Sequence, residues 1–462
     1  MFQWSQIPFK KNGFYSKKKM RKKIMQICFV MLGTVSFSQA QETPVDVKYR
    51  RSSLHTMVVE SDNFPKKEVV LKAFNESPFP EKYNEHTIGE KSFDPAKYTL
   101  TAEEKASIYK PSKMGKLLSA AAEISIDSIN KELPLRIQKY LTKERIANKL
   151  VAKWFNRQSD GSFDWNLVAD RGVFNASFLE TKNAQKSSDG EALLKTAGFE
   201  LIGNTFIVIN KFKFYANEPV AAAIRDVAKA QIISNMAGSP QFLIDKANKG
   251  LDAVYEKTKE GYSIFATSFL YKLVWNDTIS NTFFTEMYME KDNLDPKKKE
   301  AFDKTDLFKL EFVGDESASG LVTFSFKEKR TEEQVITLST KRIIDNVYAK
   351  LQKKYDVFKT KTPLYTGYPI TAKIGTKEGL EGGEKFEVLE QNIDEKTGVA
   401  TYKNIGTIKV DKDLIWDNSY NDGLGQVETA SEEGKDKKQV IDRTTFDGGK
   451  KFYSGLLIRQ IK

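Results

Sequence analysis

Histidine is scarce in this chain: His55 and His86 are the only two. A Ser-His-Asp arrangement would have to recruit one of them, and there is no Gly-x-Ser-x-Gly turn to raise a serine. Zinc held by imidazoles needs more ligands than the chain offers at any usual spacing. Each histidine stands alone in sequence, so a structural or surface role is expected for each. Cysteine is scarcer still. The single thiol, Cys28, lies in an apolar run, and Met25-Gln26-Ile27 before it lack the small residues of a lipoprotein cleavage box. Beyond that run the chain has no disulfide, thiol nucleophile or Cys-ligated metal to draw on.

Carboxylates are the remaining catalytic resource. Asp160 with Asp164, or Glu378 with Glu381, could serve as acid and base if a cleft held them at a fixed separation. With 62 acidic residues, close pairs also arise by chance. Asn156 to Phe163 resembles part of a calcium loop, but Leu167 occupies the twelfth position, where a bidentate acid is required. Arg157 brings the wrong charge, so a plain turn is expected. Phosphate loops of the Gly-x-x-x-x-Gly-Lys-Ser/Thr and Gly-x-Gly-x-x-Gly kinds are absent. Gly379-Leu380-Glu381-Gly382-Gly383-Glu384 is acidic where a phosphate cradle needs amides and a cation, and reads as a turn between strands. Arg171, in Asp170-Arg171-Gly172, could meet an anionic partner, with a salt bridge or solvated turn as the plainer reading. Trp416 and Tyr420 flank a polar stretch and could form a recognition patch; packing is the plainer fate of Trp416. The expectation is therefore no catalytic, cofactor-binding or metal residue.

The element that orders the rest is Phe199 to Phe212. Its β-branched and aromatic run reads as a buried central strand with helices on both sides. Tyr262 to Trp275 reads as a second long strand that pairs with it. The last part of Tyr49 to Val59 also reads as a strand, and Lys66 to Asn75 as a helix ended by Ser77-Pro78-Phe79-Pro80. From there to about residue 112 a polar excursion with little core is expected. Lys113 to Leu133 and Thr142 to Phe155 read as helices separated at Pro134. Glu191 to Ala197 reads as a short helix capped by Gly198. Residues 218–259 are helical with a break at Gly238-Ser239-Pro240. Asn281 to Met289 is ambiguous, and Lys291 to Lys304 reads as a solvated connection. Phe308 to Val313 and Leu321 to Phe326 read as two strands around a turn at Gly314 to Gly320. Thr331 to Lys354 is an amphipathic helix.

After about Thr362 short strands alternate with glycine turns: Tyr368 to Ile374, Lys385 to Leu389, Val399 to Tyr402, Ile405 to Val410 and Lys451 to Gln460. That spacing suits a small antiparallel barrel or sandwich. Asn418 to Gln439 reads as a mobile loop. The fold class is α+β, a layered α/β part followed by a small all-β part. The expected divisions are 1–40 as a signal peptide, 41–112 as a strand-helix lead with its excursion, 113–361 as the α/β core and 362–462 as the barrel.

The leader carries much of the charge. The formal net charge is +11, and residues 1–40 contribute eight basic residues and no acid; without them the balance falls to +3. A nearly neutral mature chain gives no concentrated basic patch for nucleic acid. Lys17 to Lys23, the apolar Ile24 to Leu32, and Ala40 before Gln41-Glu42 have the order of a secretory signal cleaved near Ala40. The apolar core is too short to span a bilayer. Met20 begins a self-sufficient signal, so residues 1–19 read as upstream of the true start.

Two stretches resemble known families. Leu193 to Val208 resembles a type of uncharacterised, secreted Gram-negative envelope protein. Ile370 to Gly375 with Gly379 to Val388 is similar to the small C-terminal barrel of flagellar assembly protein T, a family that sets an α/β domain before its barrel. That family is not catalytic, so the resemblance carries over no catalytic residue. It implies a scaffold in the periplasm or at the outer membrane. The expected function is thus a non-enzymatic, exported binding module for another envelope protein or the cell wall. Association with a membrane surface is compatible with that, without a transmembrane helix in the mature chain. The alternative is a carboxylate-based hydrolase of glycans or peptides.

Overall fold

The structure is a computed structural model that describes residues 49–108, 126–175, 200–323, 330–393, 400–420 and 441–461. Residues 44–462 form one compact unit. The expected leader, positions 113–125 of the helix expected from Lys113 to Leu133, the helix at Glu191 to Gly198 and most of the polar loop lie outside the described residues.

Strand β1 (Ser53–Val59) precedes helix α1 (Lys67–Asn75) and the two-residue strands β2 (Asn84–Glu85) and β3 (Ser92–Phe93). Helices α2 (Ala102–Ile108), α3 (Ile126–Lys143), α4 (Ile146–Trp154) and α5 (Asn166–Asn175) lead to β4 (Thr205–Ala216). Helices α6 (Asn217–Asn235) and α7 (Gln241–Thr258) separate β4 from β5 (Gly261–Leu273). Then come α8 (Asp277–Glu286), α9 (Pro296–Lys304), β6 (Leu310–Thr323) and α10 (Glu332–Lys354). The sheet order is β2-β1-β4-β5-β6, with β3 beside β2 on the same edge of β1. β1 runs parallel to β4, and β4, β5 and β6 are antiparallel.

Alternation along β4 builds two cores. Phe206, Val208 and Phe212 pack with Val70 and Phe74 of α1 and with Ile336, Ile343, Val347 and Leu351 of α10. Ile207 and Ile209 point the other way, against Leu133, Ile137 and Tyr140 of α3 and Leu150 of α4. Each such side chain contributes roughly 1.5–3 kcal/mol when fully buried. A third, mostly aromatic cluster joins Trp154, Phe155, Phe163, Phe283 and Phe302. Helix α10 begins with a capping box between Thr331 and Gln334. Its buried Ser339 and Thr340 hydroxyls donate to Val335 and Ile336 carbonyls.

Several expectations need correction. β4 begins at Thr205, because residues 200–203 are helical and send Leu201 and Ile202 into the aromatic cluster. Pro134 lies inside α3, where burial of Leu133, Ile137 and Tyr140 outweighs its missing amide. The helix break falls instead at Arg145, whose φ is 54°. The excursion after Pro80 is not coreless: Tyr83, His86, Ile88 and Phe93 are buried in it. The charged stretch at 291–304 contains α9, capped by Asp295 and held down by Phe302. The two strands expected around Gly314–Gly320 are one, β6, paired along β5 with a bulge opposite Leu270/Tyr271. Gly314 sits at that bulge with φ +155°, its α-carbon so close to the Tyr355 ring that a β-carbon would collide.

The C-terminal part is a curled, fully antiparallel sheet forming a half-barrel. It comprises β7 (Thr362–Pro363), β8 (Thr366–Gly367), β9 (Ile370–Ala372), β10 (Lys385–Ile393), β11 (Ala400–Val410), β12 (Thr444–Asp447) and β13 (Leu457–Gln460). Its order is β7-β13-β10-β11-β12-β9-β8. Ile370, Phe386, Val388, Ile408, Phe446 and Ile458 fill the concave side. The expected strands at Val399 to Tyr402 and Ile405 to Val410 are a single β11 with a bulge at Ile405. Among the described residues, no helix is long and apolar enough to cross a membrane.

Candidate functional site

The residues singled out from the sequence do not converge. Asp160 accepts from the amide and hydroxyl of Ser162, and Asp164 accepts from the Asn166 amide and the Asn156 side chain. Both are local turn locks, so Asn156 to Phe163 is a turn. Glu378 accepts from the Gly375 amide at 2.7 Å and from Asn418 at 3.0 Å, and pairs with Lys82. Glu381 is exposed. The amides of Glu381 and Gly382 both point at the Glu384 carboxylate, 2.9 Å away. The chain's own acid thus fills that glycine turn. Among the described residues no group of His, Cys, Asp and Glu is arranged to hold a metal ion.

Both histidines are buried, and one anchors a polar knot. His86 Nε2 donates to the Leu150 carbonyl at 2.9 Å, and Nδ1 accepts from Arg171 at 2.8 Å. Arg171 also donates to Ser53 Oγ and the Glu85 carbonyl, and its guanidinium lies 4.5 Å from the Trp154 ring. Burial lowers its pKa to about 10. Arg171 is therefore neither on a solvated turn nor turned toward an anionic partner: it sits in α5 and ties that helix to β1 and β2. Neither ring nitrogen of His55 makes a hydrogen bond, although the Glu90 backbone is near enough to influence its charge. Burial lowers its pKa to about 3.

Trp416 is half-buried and bridges Gly375. Tyr420 is drawn onto α10, where Lys341 donates to its hydroxyl at 2.9 Å. Asp345 of α10 is the carboxyl most displaced toward neutrality, pushed up to about 6 by burial, against the pull of Lys377 at 3.7 Å. The hollow beside Glu378, which Asp345 does not line, has only about 30 Å³.

Two features that sequence reasoning missed have the geometry of recognition. The first is the α6–α7 hairpin, an arm inserted where β4 and β5 end, with Ala216 paired to Tyr262 at its base. Polar pairs pin its two helices together: Lys229 to Asp252 at 2.6 Å, Tyr255 to Glu218 at 3.2 Å, and Arg225 over the Tyr255 ring. Large apolar side chains face outward instead. Ile224, Val227, Ile233, Phe242 and Val254 are each 58–66% exposed, and α7 buries no residue fully. The signal was present in the sequence as apolar residues around both helices, where the pattern was read only as helical.

The second feature is a hollow of about 150 Å³ where the start of β1, the segment after α10 and strand β13 meet. Arg51, Lys82, Lys359, Lys361 and Arg459 line it, with Asp356 as the one acid of the lining. These cations are scattered over four hundred positions, so no run of sequence betrays them. No protein-family model matches the chain, and no curated protein is significantly similar to it.

Proposed function

We infer that the protein is a non-enzymatic binding module of the cell envelope, and that the α6–α7 arm is the surface through which it holds another envelope protein. The carrying observation is the apolar surface of the arm: five large apolar side chains, each 58–66% exposed, on a hairpin whose helices are tied together by polar pairs. An apolar surface of that kind on a folded protein is a docking face. Residues 217–258 carry five acids and five bases, so the arm is neutral. A membrane surface or an anionic wall polymer would call for a basic face; an apolar, uncharged face of a protein fits this one. Helix-in-groove docking is the mode its geometry suits. The carboxylate hydrolase gains no support from the acid pairs proposed for it: Asp160, Asp164 and Glu378 are each engaged in local bonds, and Glu381 is exposed.

Export of the chain is part of this reading, supported by the lysine-rich run, the short apolar core and Ala40. A photo-crosslinking residue at position 242, introduced in cells, is expected to trap one envelope protein, and the adduct is expected to vanish when Ile224→Lys is added. An adduct with a second copy of the chain, or none, overturns the assignment. Amino-terminal sequencing of the periplasmic or outer-membrane fraction is expected to begin at Gln41; a cytoplasmic product that retains the leader refutes export.

A further inference from the structure

We propose that the hollow lined by Arg51, Lys82, Lys359, Lys361 and Arg459 is a binding site for a phosphate-class oxyanion. The charge balance carries the first step. Three of the five cations are neutralised: Lys359 by Asp356 at 2.7 Å, Arg459 by Glu387 at 2.5 Å, and Lys82 by Glu378 at 3.4 Å. Among the described residues, Lys361 has no carboxylate within ion-pair distance; its ammonium lies 4.0 Å from the centre of the Tyr402 ring. Arg51 faces the same space beside Tyr49. The hollow is therefore positive by the charge of Lys361 at least, which suits an anion.

Repulsion within the cluster is visible in Lys361. Burial first, then Arg459 and Arg51, lower its pKa to about 8, against the weaker opposite pull of Glu387 and Glu200. Like charges gathered in a half-buried hollow are costly when it is empty. An anion that accepts from a guanidinium and an ammonium together relieves that cost. Size agrees with the charge. About 150 Å³ is well above the roughly 10–15 Å³ that a single water needs, room for a tetrahedral oxyanion. Ser52, Asn204 and Thr360 add neutral polar residues to the lining. The site is separate from the α6–α7 arm and does not depend on the function proposed for it.

Free phosphate and a phosphoryl group on a larger molecule share this chemistry. Calorimetric titration of the full chain with inorganic phosphate and, separately, with glycerol phosphate distinguishes them. Sodium chloride at matched ionic strength is the control. Saturable binding of inorganic phosphate is expected at pH 7.5. Comparable or tighter binding of glycerol phosphate points to a phosphoryl ester, and binding of phosphate alone to the free ion. Lys361→Gln is expected to weaken binding by about tenfold or more. Lys361→Arg is expected to retain it and to differ in pH profile. The wild type should lose affinity above about pH 8 as Lys361 gives up its proton, whereas the arginine variant should not. Near-ultraviolet circular dichroism of each variant checks that the fold is kept. Absence of binding, an equal effect of sodium chloride, or equal affinity in Lys361→Gln overturns the proposal.

Discussion

Buried ionisable side chains make the stability of this protein depend on pH in opposing directions. His55 titrates near 3 in the folded chain and His86 well below its ordinary value, in both cases chiefly because burial disfavours the charged ring. The unfolded chain takes up those protons near 6.5. Between that value and the folded value it binds more protons, so stability falls as pH drops below about 6.5. At pH 5 the His55 ring costs up to about 2 kcal/mol, and His86 acts in the same direction. His55→Met removes one of the two, and its urea midpoint should fall less than that of the wild type between pH 7.5 and pH 5. Asp345 works the other way. Its folded value of about 6 lies above the usual carboxyl value of 3.8, so the folded state holds the extra proton and stability falls as pH rises through that window. Above pH 6, Asp345→Asn should raise stability by about 1–2 kcal/mol after allowance for its lost attraction to Lys377. Equal urea midpoints for wild type and variant at pH 7.5 would contradict this. None of these side chains could be ranked from the sequence. Their spacing says nothing about burial, and Arg171 in Asp170-Arg171-Gly172 looked like a solvated turn only because glycine followed it.

Strands and helices were legible where one period ran without interruption. The α10 pattern, the break at Gly238-Ser239-Pro240 and the pairing of the two long strands are all present in the fold. Bulges caused the chief misreadings. β6 and β11 were each divided in sequence, at Gly314 to Gly320 and before Ile405, where a bulge adds one residue and shifts the alternation by a position. A shifted alternation looks like an ending when no partner strand is visible. Pro134 misled for a similar reason, because tertiary burial overrides a local breaker. The α6–α7 arm was correctly read as helical, but the exposure of its large apolar side chains is visible only in three dimensions. The arm enters and leaves between paired residues of β4 and β5, so the sheet does not need it to close. Replacement of Glu218 to Lys259 by Gly-Gly should leave the melting temperature within a few degrees of wild type. Far-ultraviolet circular dichroism should lose the corresponding helix, and the crosslinked adduct should disappear. Collapse of the fold would show that the arm is part of the core.

Across the molecule, the half-barrel is bonded to the layered part by polar side chains as well as apolar contacts. Lys82, in the segment before β2, reaches Glu378 of the barrel; Lys377 reaches Asp345, and Tyr420 lies on Lys341 of α10. Glu378→Ala would leave Lys82, whose side chain is only 18% exposed, without its carboxylate. A loss of about 2 kcal/mol is expected, less than for a fully buried pair. Urea unfolding followed by both Trp fluorescence and far-ultraviolet circular dichroism should show it, and unchanged midpoints would deny the contact a structural role. The sequence conveyed the division into a layered part and a glycine-punctuated β part, since composition changes near Thr362. It could not convey the seam, which joins residues hundreds of positions apart. The parallel alignment of β1 with β4 has its own consequence. Ser53 must wait for Thr205, roughly 150 positions later, before the sheet has a middle. Closure of so distant a pairing slows the final assembly, so a nascent polypeptide emerging amino end first spends a long interval with β1, buried in the finished sheet, uncovered. A holdase that grips β1 until β4 arrives would shorten the route to aggregation-free maturation, and refolding yield should fall steeply with protein concentration in its absence.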